Sequence, residues 1–257
     1  MQQTPWSAAD LHIHTTASDG VASPEMVLDW VCTRTDLAVI AITDHNTNEG
    51  ALEAAELAAN GRYPVEVIVG QEVESADGHI IGLWTPDLVS PRMPAAETVA
   101  AIHAQNGLAI AAHPFAPRFW ARAGLDRGDR DVYDTVAFDG LEIANSTPLL
   151  FLSNWFARFY WTTHHQRLAC TGGSDAHILT VIGSSRTFFP GTTAVELRSA
   201  IEGRRTRAAL PGISPRRNWR YARNVPTIMR RDRDRKAREV DAGIRPEPKT
   251  RNGKRTG

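Results

Sequence analysis

The chain has 257 residues, 42% of them hydrophobic and 23% charged, so it can bury one substantial core without covalent cross-links. Its two cysteines, Cys32 and Cys170, lie far apart and form no Cys-x-x-Cys motif, which argues against a disulfide framework or a thiolate zinc site. No apolar stretch reaches the roughly 20 residues that span a bilayer, and the N-terminus lacks a secretory pattern, so we expect a cytoplasmic protein.

The zero net charge combines two oppositely charged regions. Residues 1–203 contain 11 arginines, no lysine and 24 acidic residues, a net charge of −13, whereas residues 204–257 contain 18 basic and 5 acidic residues, a net charge of +13. The basic region has several prolines and few apolar residues, so it lacks the apolar surface that offsets the entropy of ordering. We expect one domain over residues 1–205 and a basic, largely disordered tail over residues 206–257.

Short apolar runs alternate with helical patterns through the first 200 residues, which is typical of repeated strand–helix units in an α/β fold. In chain order, the predicted strands cover residues 10–14, 38–43, 65–70, 79–83, 108–112, 140–144 and 167–171. The predicted helices cover residues 24–35, 49–60, 94–106, 149–166 and 193–203. Ser23 followed by Pro24 has the pattern of an N-cap and a first-turn proline.

Histidines are concentrated at the predicted ends of strands, the edge where alternating strand–helix folds assemble active sites. Two histidines at positions i and i+2 of a strand point to the same face, so His12 and His14 can bind one metal ion together, as can Asp175 and His177. Imidazoles mixed with carboxylates favour Zn, Mn or Fe. The alternative, satisfied core histidines and capping aspartates, is disfavoured because the histidines are grouped with carboxylates or turn residues. The six histidines in question are His12, His14, His45, His79, His113 and His177.

Five short motifs follow one another along the chain. They are DLHIH with SDG (residues 10–14 and 18–20), ITDHN (42–46), GQE (70–72), AHP (112–114) and GSDAH (173–177). In this order they resemble the polymerase and histidinol phosphatase (PHP) superfamily over roughly residues 8–205. Residues 44–47, 77–79 with Gly82, and 141–145 resemble its carbaryl-hydrolase-like branch.

The resemblance implies a distorted (β/α)7 TIM-like barrel of the PHP type, with two or three divalent metal ions at the carboxyl ends of the strands. The implied ligands of the first ion are His12, His14, Glu72 and Asp175. Glu72 would bridge to a second ion held by His79 and His113, and a third ion would be held by Asp19, His45 and His177. Asp44 is expected to orient a ligand or take a proton, and a ligand role for Glu142 is left open.

The ligand set predicts an enzyme, a metal-dependent hydrolase in which a metal-bridged hydroxide attacks a phosphomonoester, a nucleotide or a phosphodiester. Arg118 and Arg186 are candidates for binding the substrate phosphate, with ordinary surface arginines as the alternative. Only 33 residues separate His79 from His113, which leaves no room for an inserted lid domain and favours a small phosphorylated substrate. Hydrolysis of a carboxyl or carbamate ester at the same centre is the alternative reaction.

The basic tail keeps open a function of another class, association with nucleic acid through residues 206–257. Arginines would bind phosphates, and Trp219 and Tyr221 would stack on bases. Interspersed acidic residues around Arg233 weaken this interpretation, and no membrane partner is expected. A catalytically inactive barrel is disfavoured because each implied ligand position carries a ligating residue.

Overall fold

The computed structural model describes residues 4–116, 131–148, 150–164, 167–210, 212 and 214–244. Within these residues, nine strands pair into one sheet in the order β7-β6-β5-β4-β3-β2-β1-β8-β9. The strands are β1 (Trp6–Ile13), β2 (Leu37–Ile42), β3 (Glu66–Glu74), β4 (His79–Leu83), β5 (Leu108–Ala111), β6 (Gly140–Asn145), β7 (Ala169–Gly173), β8 (Arg186–Pro190) and β9 (Arg207–Ala209).

The sheet curls into a nearly closed barrel because β1 meets the segment that follows β7. Ile13 forms a parallel bridge with Ala176, and the His14 amide donates to the Ala176 carbonyl at 3.0 Å. The buried Asp10 carboxylate reinforces this closure by accepting the amides of Ser174 at 2.8 Å and Gly183 at 2.7 Å. The predicted TIM-like barrel is confirmed.

Helices pack around the barrel, and the predicted ones are present with ends shifted by at most three residues. The described helices are α1 (Pro24–Arg34), α2 (Glu49–Ala59), α3 (Ala95–Ala104), α4 (Asp131–Thr135), α5 (Phe151–Thr163), α6 (Ala194–Glu202) and α7 (Pro215–Asp241). Ser23 caps α1 as expected, its hydroxyl accepting the amide of Met26. None of these helices combines the length and the apolar composition needed to cross a membrane.

The strand–helix alternation is less regular than the sequence pattern predicts. β3 and β4 form an antiparallel hairpin, and β4 also runs antiparallel to β5. Hairpin pairing carries β3 on to Glu74, four residues beyond the predicted end. The antiparallel strands β8 and β9 were not predicted, since both are short and only partly buried.

The tail does not match the expectation of disorder over residues 207–209 and 215–241. These residues form β9 and the 27-residue helix α7, which starts after an N-cap at Ser214. The expectation of disorder rested on the polar composition of this region, but α7 buries a few apolar residues on one face. Tyr221 and Ile228 pack into the core cluster that contains Ile178, and Val225 packs against it. Tertiary packing of this kind outweighs poor intrinsic propensity. Residues 245–257 lie outside the described residues.

Candidate metal centre

The nine predicted ligands lie at one edge of the barrel. His12 is in β1 and His14 follows it, Glu72 is in β3, His79 is in β4, and the other residues lie in the segments after β1, β2, β5 and β7. His79 begins β4, which has the bounds of the strand predicted over residues 79–83. β4 is antiparallel to β3 and β5, so its first residue lies at the same edge as the carboxyl ends of its parallel neighbours.

Glu72 lies between two groups of imidazoles. Its Oε1 is 2.9 Å from His79 Nδ1 and 3.0 Å from His113 Nε2. Its Oε2 is 3.4 Å from the Nε2 atoms of both His12 and His14. The same oxygen is 3.0 Å from His45 Nδ1. The two carboxylate oxygens therefore face different sets of nitrogen atoms.

Asp175 completes the group that contains His12 and His14. Its Oδ1 lies 3.2 Å from His14 Nε2 and 3.6 Å from His12 Nε2. Asp175 adopts a φ of 53°, and His113 has a φ of 27°. Both non-glycine residues are in the left-handed region, and such strained backbone is typical of functional sites.

Asp19 assembles a third group on the loop after β1. Its Oδ2 is 3.3 Å from His177 Nε2 and 3.9 Å from His45 Nε2. The His14 ring stacks on that of His177 with 4.2 Å between their centroids, which links this group to the one around Asp175.

The structure brings all nine predicted ligands into four overlapping groups. Within each group, one donor atom per residue lies within 4.8 Å of the others. The groups are His12, His14 and Asp175; His12, Glu72 and His113; His45, Glu72 and His79; and His14, Asp19, His45 and His177.

Several of these buried donor atoms have no hydrogen-bond partner. They are His12 Nε2, both ring nitrogens of His14, His45 Nδ1 and Glu72 Oε2. A buried polar atom without a partner is costly, and a cluster of lone pairs directed at one space is what a cation satisfies. The residues present therefore fit a cluster of divalent metal ions.

Burial and neighbouring histidines shift the pKa values of the carboxylates in the cluster. Burial alone would raise the pKa of Glu72, but His45, His12 and His79 hold it well below its usual range. Asp175 behaves similarly, since burial raises its pKa but His12, His14 and His177 together hold it well below its usual range. The carboxylates are therefore ionised and present negative charge to a cation at neutral pH.

A cluster of polar residues supports three of the candidate ligands from outside. Glu142 Oε1 is 3.0 Å from His12 Nδ1, and Glu142 Oε2 accepts the His113 amide at 2.8 Å. Asn145 donates to Glu142 at 2.9 Å, and the Thr147 hydroxyl donates to Asp175 Oδ2 at 2.8 Å. The sequence left open whether Glu142 is a metal ligand. In the structure it contacts the ring nitrogen of His12 that faces away from Glu72.

Asp44 is fully buried and organises the loop that carries Asp19. Its carboxylate accepts the Thr15 amide at 2.7 Å and the hydroxyls of Thr15 and Ser18 at 2.6 and 2.5 Å. Asp44 therefore contacts residues of the loop that carries Asp19, and both parts of its predicted role, orienting a ligand and taking a proton, stay predictions.

The two arginines proposed for the substrate phosphate are placed differently. Arg118 lies outside the described residues. Arg186 donates to the Gly183 carbonyl at 2.8 Å and to Asp36 Oδ1 at 2.6 Å. Its guanidinium therefore already holds the loop before β8, and a contact with substrate stays a prediction.

Sequence reasoning assigned no role to Thr147, Asn145 or Asp10. Asn145 and Asp10 lie within the segments that carried the family resemblance, and this position could have indicated that they support the site. Thr147 sits 28 positions before Asp175 and carries no motif, so its contact arises only from the fold.

The cluster is partly accessible to solvent. The side chains of His12 and His14 are fully buried, whereas those of His45, His79, His113 and His177 are 10–13% exposed.

Comparison with known families and proteins gives a consistent picture. Residues 10–179 match the PHP domain family, and residues 153–206 match the PHP-associated family. The protein MJ1587 of Methanocaldococcus jannaschii is 37% identical over 149 residues, which cover 54% of this chain and 81% of that protein. The 3′,5′-nucleoside bisphosphate phosphatase of Chromobacterium violaceum is 40% identical over 78 residues, which cover 29% of this chain but only 26% of the phosphatase.

Solved structures share the fold. A two-domain protein of Bacteroides vulgatus that contains a predicted PHP-like metal-dependent phosphoesterase aligns with a TM-score of 0.65 at 19% identity, over 80% of this chain and 65% of that one. A putative metal-dependent phosphoesterase of Bifidobacterium adolescentis aligns with a TM-score of 0.58 at 17% identity, over 80% and 97%. The match over residues 10–179, two thirds of the sequence, shows that the chain belongs to the PHP domain family.

Proposed function

We propose that this protein is a metal-dependent phosphoesterase whose nine clustered ligands hold two or three divalent cations. The position of Glu72 carries the proposal. One of its oxygens faces His79 and His113, and the other faces His12 and His14. A carboxylate that presents its two oxygens to separate sets of imidazoles is suited to bridging two cations.

The assignment of ligands to ions is the one that the family resemblance implies, and the four observed groups overlap with it without matching it one to one. His12, His14, Asp175 and Glu72 would hold the first ion; Glu72, His79 and His113 the second; Asp19, His45 and His177 the third. Divalent cations in such a cluster supply the positive charge that activates water near neutral pH and neutralises phosphoryl oxygens. Mn, Zn and Fe all suit this mixture of imidazole and carboxylate donors.

The chain's own residues fix the orientation of these donors. Glu142 engages Nδ1 of His12, so that Nε2 is directed to Glu72 and Asp175. Asp44 holds the loop after β1 through Thr15 and Ser18, which keeps Asp19 beside His177. Such contacts keep the centre ready for reaction without rearrangement.

A small phosphoester is the proposed substrate. The segment between β4 and β5 contains only helix α3 as regular structure, so no inserted domain stands there over His79 and His113. Similar proteins include the bisphosphate phosphatase above and a phosphoribosyl 1,2-cyclic phosphate 1,2-diphosphodiesterase of Eggerthella lenta, 39% identical over 80 residues that cover 29% of that enzyme. Both names describe cleavage of phosphoesters on small molecules. Membership of the carbaryl-hydrolase-like branch, with carbamate hydrolysis, stays a prediction.

A substrate panel tests this proposal. Purified protein is assayed with p-nitrophenyl phosphate, bis-p-nitrophenyl phosphate, a nucleoside 3′,5′-bisphosphate and a naphthyl carbamate. We expect phosphoester turnover that a chelator abolishes and that Mn or Zn restores. Asp175→Ala should remove turnover, whereas Arg62→Gln, a change in surface ion pairs with Glu25 and Asp29, should not. Turnover of the carbamate alone would overturn the phosphoesterase assignment.

A second candidate function, nucleic-acid binding, is favoured by the outer face of α7. Residues 203–231 contain nine arginines and no acidic residue. Arg216, Arg223 and Arg230 recur at seven-residue intervals and are exposed, so they share one face of the helix. Arg223 also lies 4.7 Å from the ring centroid of the exposed Trp219. A row of cations with an aromatic ring matches the phosphates and bases of a single strand.

Salt dependence tests this second candidate. The wild type should bind a single-stranded oligonucleotide with an affinity that falls steeply as salt rises, because binding releases counterions. Replacing Arg216, Arg223 and Arg230 by glutamine should remove most of the binding and leave turnover of small phosphoesters unchanged. If the triple variant binds the oligonucleotide as tightly as the wild type, the outer face of α7 is not the binding site.

A further inference from the structure

Helix α7 lies beyond the residues that match the two families, which end at residue 206, yet its inner face reaches the metal centre. We propose that α7 is a clamp on this centre, holding the segments that carry Asp175, His45 and Asp19 so that the docked helix raises the affinity of the centre for divalent cations. The inference rests on the proposed metal centre and assigns Tyr221 and Arg235 as positioning residues.

The first contact joins Tyr221 to Asp175. Tyr221 is buried and its hydroxyl lies beside the Thr147 side chain, and the Thr147 hydroxyl donates its proton to Asp175 Oδ2 at 2.8 Å. Thr147 thereby fixes Oδ2 and leaves Asp175 Oδ1 directed at His12 and His14.

The second contact joins Arg235 to the segment that carries His45. Arg235 is only 4% exposed and forms ion pairs with Glu74 at 2.6 Å and with Glu239. The Asn46 side chain donates to Glu239 at 3.0 Å and accepts the Glu74 amide at 2.9 Å. Asn46 follows His45 directly and has a φ of 53°, so this network holds a strained backbone beside a candidate ligand.

The third contact lies between these two. Arg231 donates to the Thr16 carbonyl at 2.7 Å, on the loop that continues to Asp19. One helical turn earlier, Ile228 is buried in the core cluster that includes Ala22 and Ala176. Inward positions 221, 228 and 235 recur every seven residues, so one face of α7 spans the loops after β1, β2 and β7.

Thermodynamic linkage gives this arrangement a measurable consequence. If docking of α7 strengthens cation binding, bound cations must strengthen docking by the same factor. Loss of a partner that orients a metal ligand typically lowers metal affinity about 10- to 100-fold. We expect the affinity for divalent cations to fall by that factor when the contacts of Tyr221 or those of Arg235 are removed.

The test uses full-length variants and Mn²⁺ as the probe. Tyr221→Phe keeps the ring and removes the hydroxyl that contacts Thr147. Its matched control is Tyr160→Phe, which removes a hydroxyl bound to Asp134 on α4. Arg235→Gln removes the ion pairs with Glu74 and Glu239. Its control is Arg62→Gln, which removes a surface ion pair with Glu25. Calorimetric titration gives Mn²⁺ affinity and stoichiometry, and hydrogen exchange with and without Mn²⁺ reports on α7.

We expect Tyr221→Phe and Arg235→Gln to bind Mn²⁺ about 10-fold or more weakly than the wild type, while both controls match the wild type. In the wild type, Mn²⁺ should slow exchange along α7. If the two variants keep wild-type affinity, or if exchange in α7 is indifferent to Mn²⁺, the clamp is wrong. These readouts need no substrate, so a protein that binds Mn²⁺ in this way but hydrolyses no phosphoester would overturn only the proposed function.

Discussion

His12 and Glu142 are in contact through the ring nitrogen that points away from the centre, with 3.0 Å between His12 Nδ1 and Glu142 Oε1. Both residues are buried, so the contact is shielded from water. Glu142 Oε1 accepts the Nδ1 proton and leaves the lone pair on Nε2, the atom that faces Glu72 and Asp175. The carboxylate thus selects the tautomer that can bind a cation.

Replacing Glu142 by glutamine tests this relationship. The amide keeps the size of the side chain but removes the charge that favours a protonated Nδ1. We expect metal affinity to fall about 10- to 100-fold with little loss of secondary structure. The measurement is metal content per chain after dialysis against a weak chelator, with Glu202→Gln, a change in a surface pair with Arg198, as control. Unchanged metal content would mean that Glu142 has only a packing role.

Glu72→Gln should have the largest effect on turnover. Its two oxygens face both sets of imidazoles, and an amide presents one oxygen and one NH₂ group instead. Loss of a cation that stabilises the transition state removes several kcal/mol, so turnover should fall at least about 100-fold. Circular dichroism should match the wild type. A variant that retains a tenth of the activity or more would contradict the bridging role.

The sequence predicted the clustering of the candidate ligands better than the elements around them, for a physical reason. His12 and His14 alternate along one strand, and motif residues at strand ends converge on one edge, so local rules bring these ligands together. β8 pairs with the amino-terminal half of β1 from far along the chain, and α7 is held by Arg235 and Ile228 against distant loops. Such contacts leave no local periodicity, so composition alone indicated a disordered tail.

Gly173 is expected to accept no larger residue without disturbing the centre. A Cβ at this position would lie 2.5 Å from His12 Cβ and 2.6 Å from Glu142 Oε1. Gly173→Ala must therefore displace both partners, and overpacking of this kind costs typically about 1–3 kcal/mol. We expect a lower melting temperature together with weaker metal binding. Gly212→Ala, where a Cβ meets nothing within 4 Å, is the control and should change neither.

Asp232 should make the docking of α7 sensitive to acid. Burial raises the pKa of this carboxyl, but Lys236 and Arg235 outweigh burial and hold the pKa below its usual value of 3.8. A lowered folded-state pKa contributes stability that is present above the unfolded value and lost as pH falls through the folded value. Asp232→Asn should therefore be less stable than wild type at pH 6, and the difference should shrink as pH falls below 3.8. The check is thermal unfolding of both proteins across this range; a constant difference would contradict the assignment.

Removal of metal should destabilise the barrel as well as stop turnover. Cations that bind only the folded chain stabilise it by about 2.7 kcal/mol when free metal is 100-fold above its dissociation constant. Without them, three ionised carboxylates, Asp19, Glu72 and Asp175, remain buried beside donor atoms that lack partners. We expect a chelator to lower the melting temperature by several degrees, and added Mn or Zn to restore it. In Asp175→Ala, which lacks one of these carboxylates, the chelator should have a smaller effect, and an equal shift in both proteins would place the stabilising cation elsewhere.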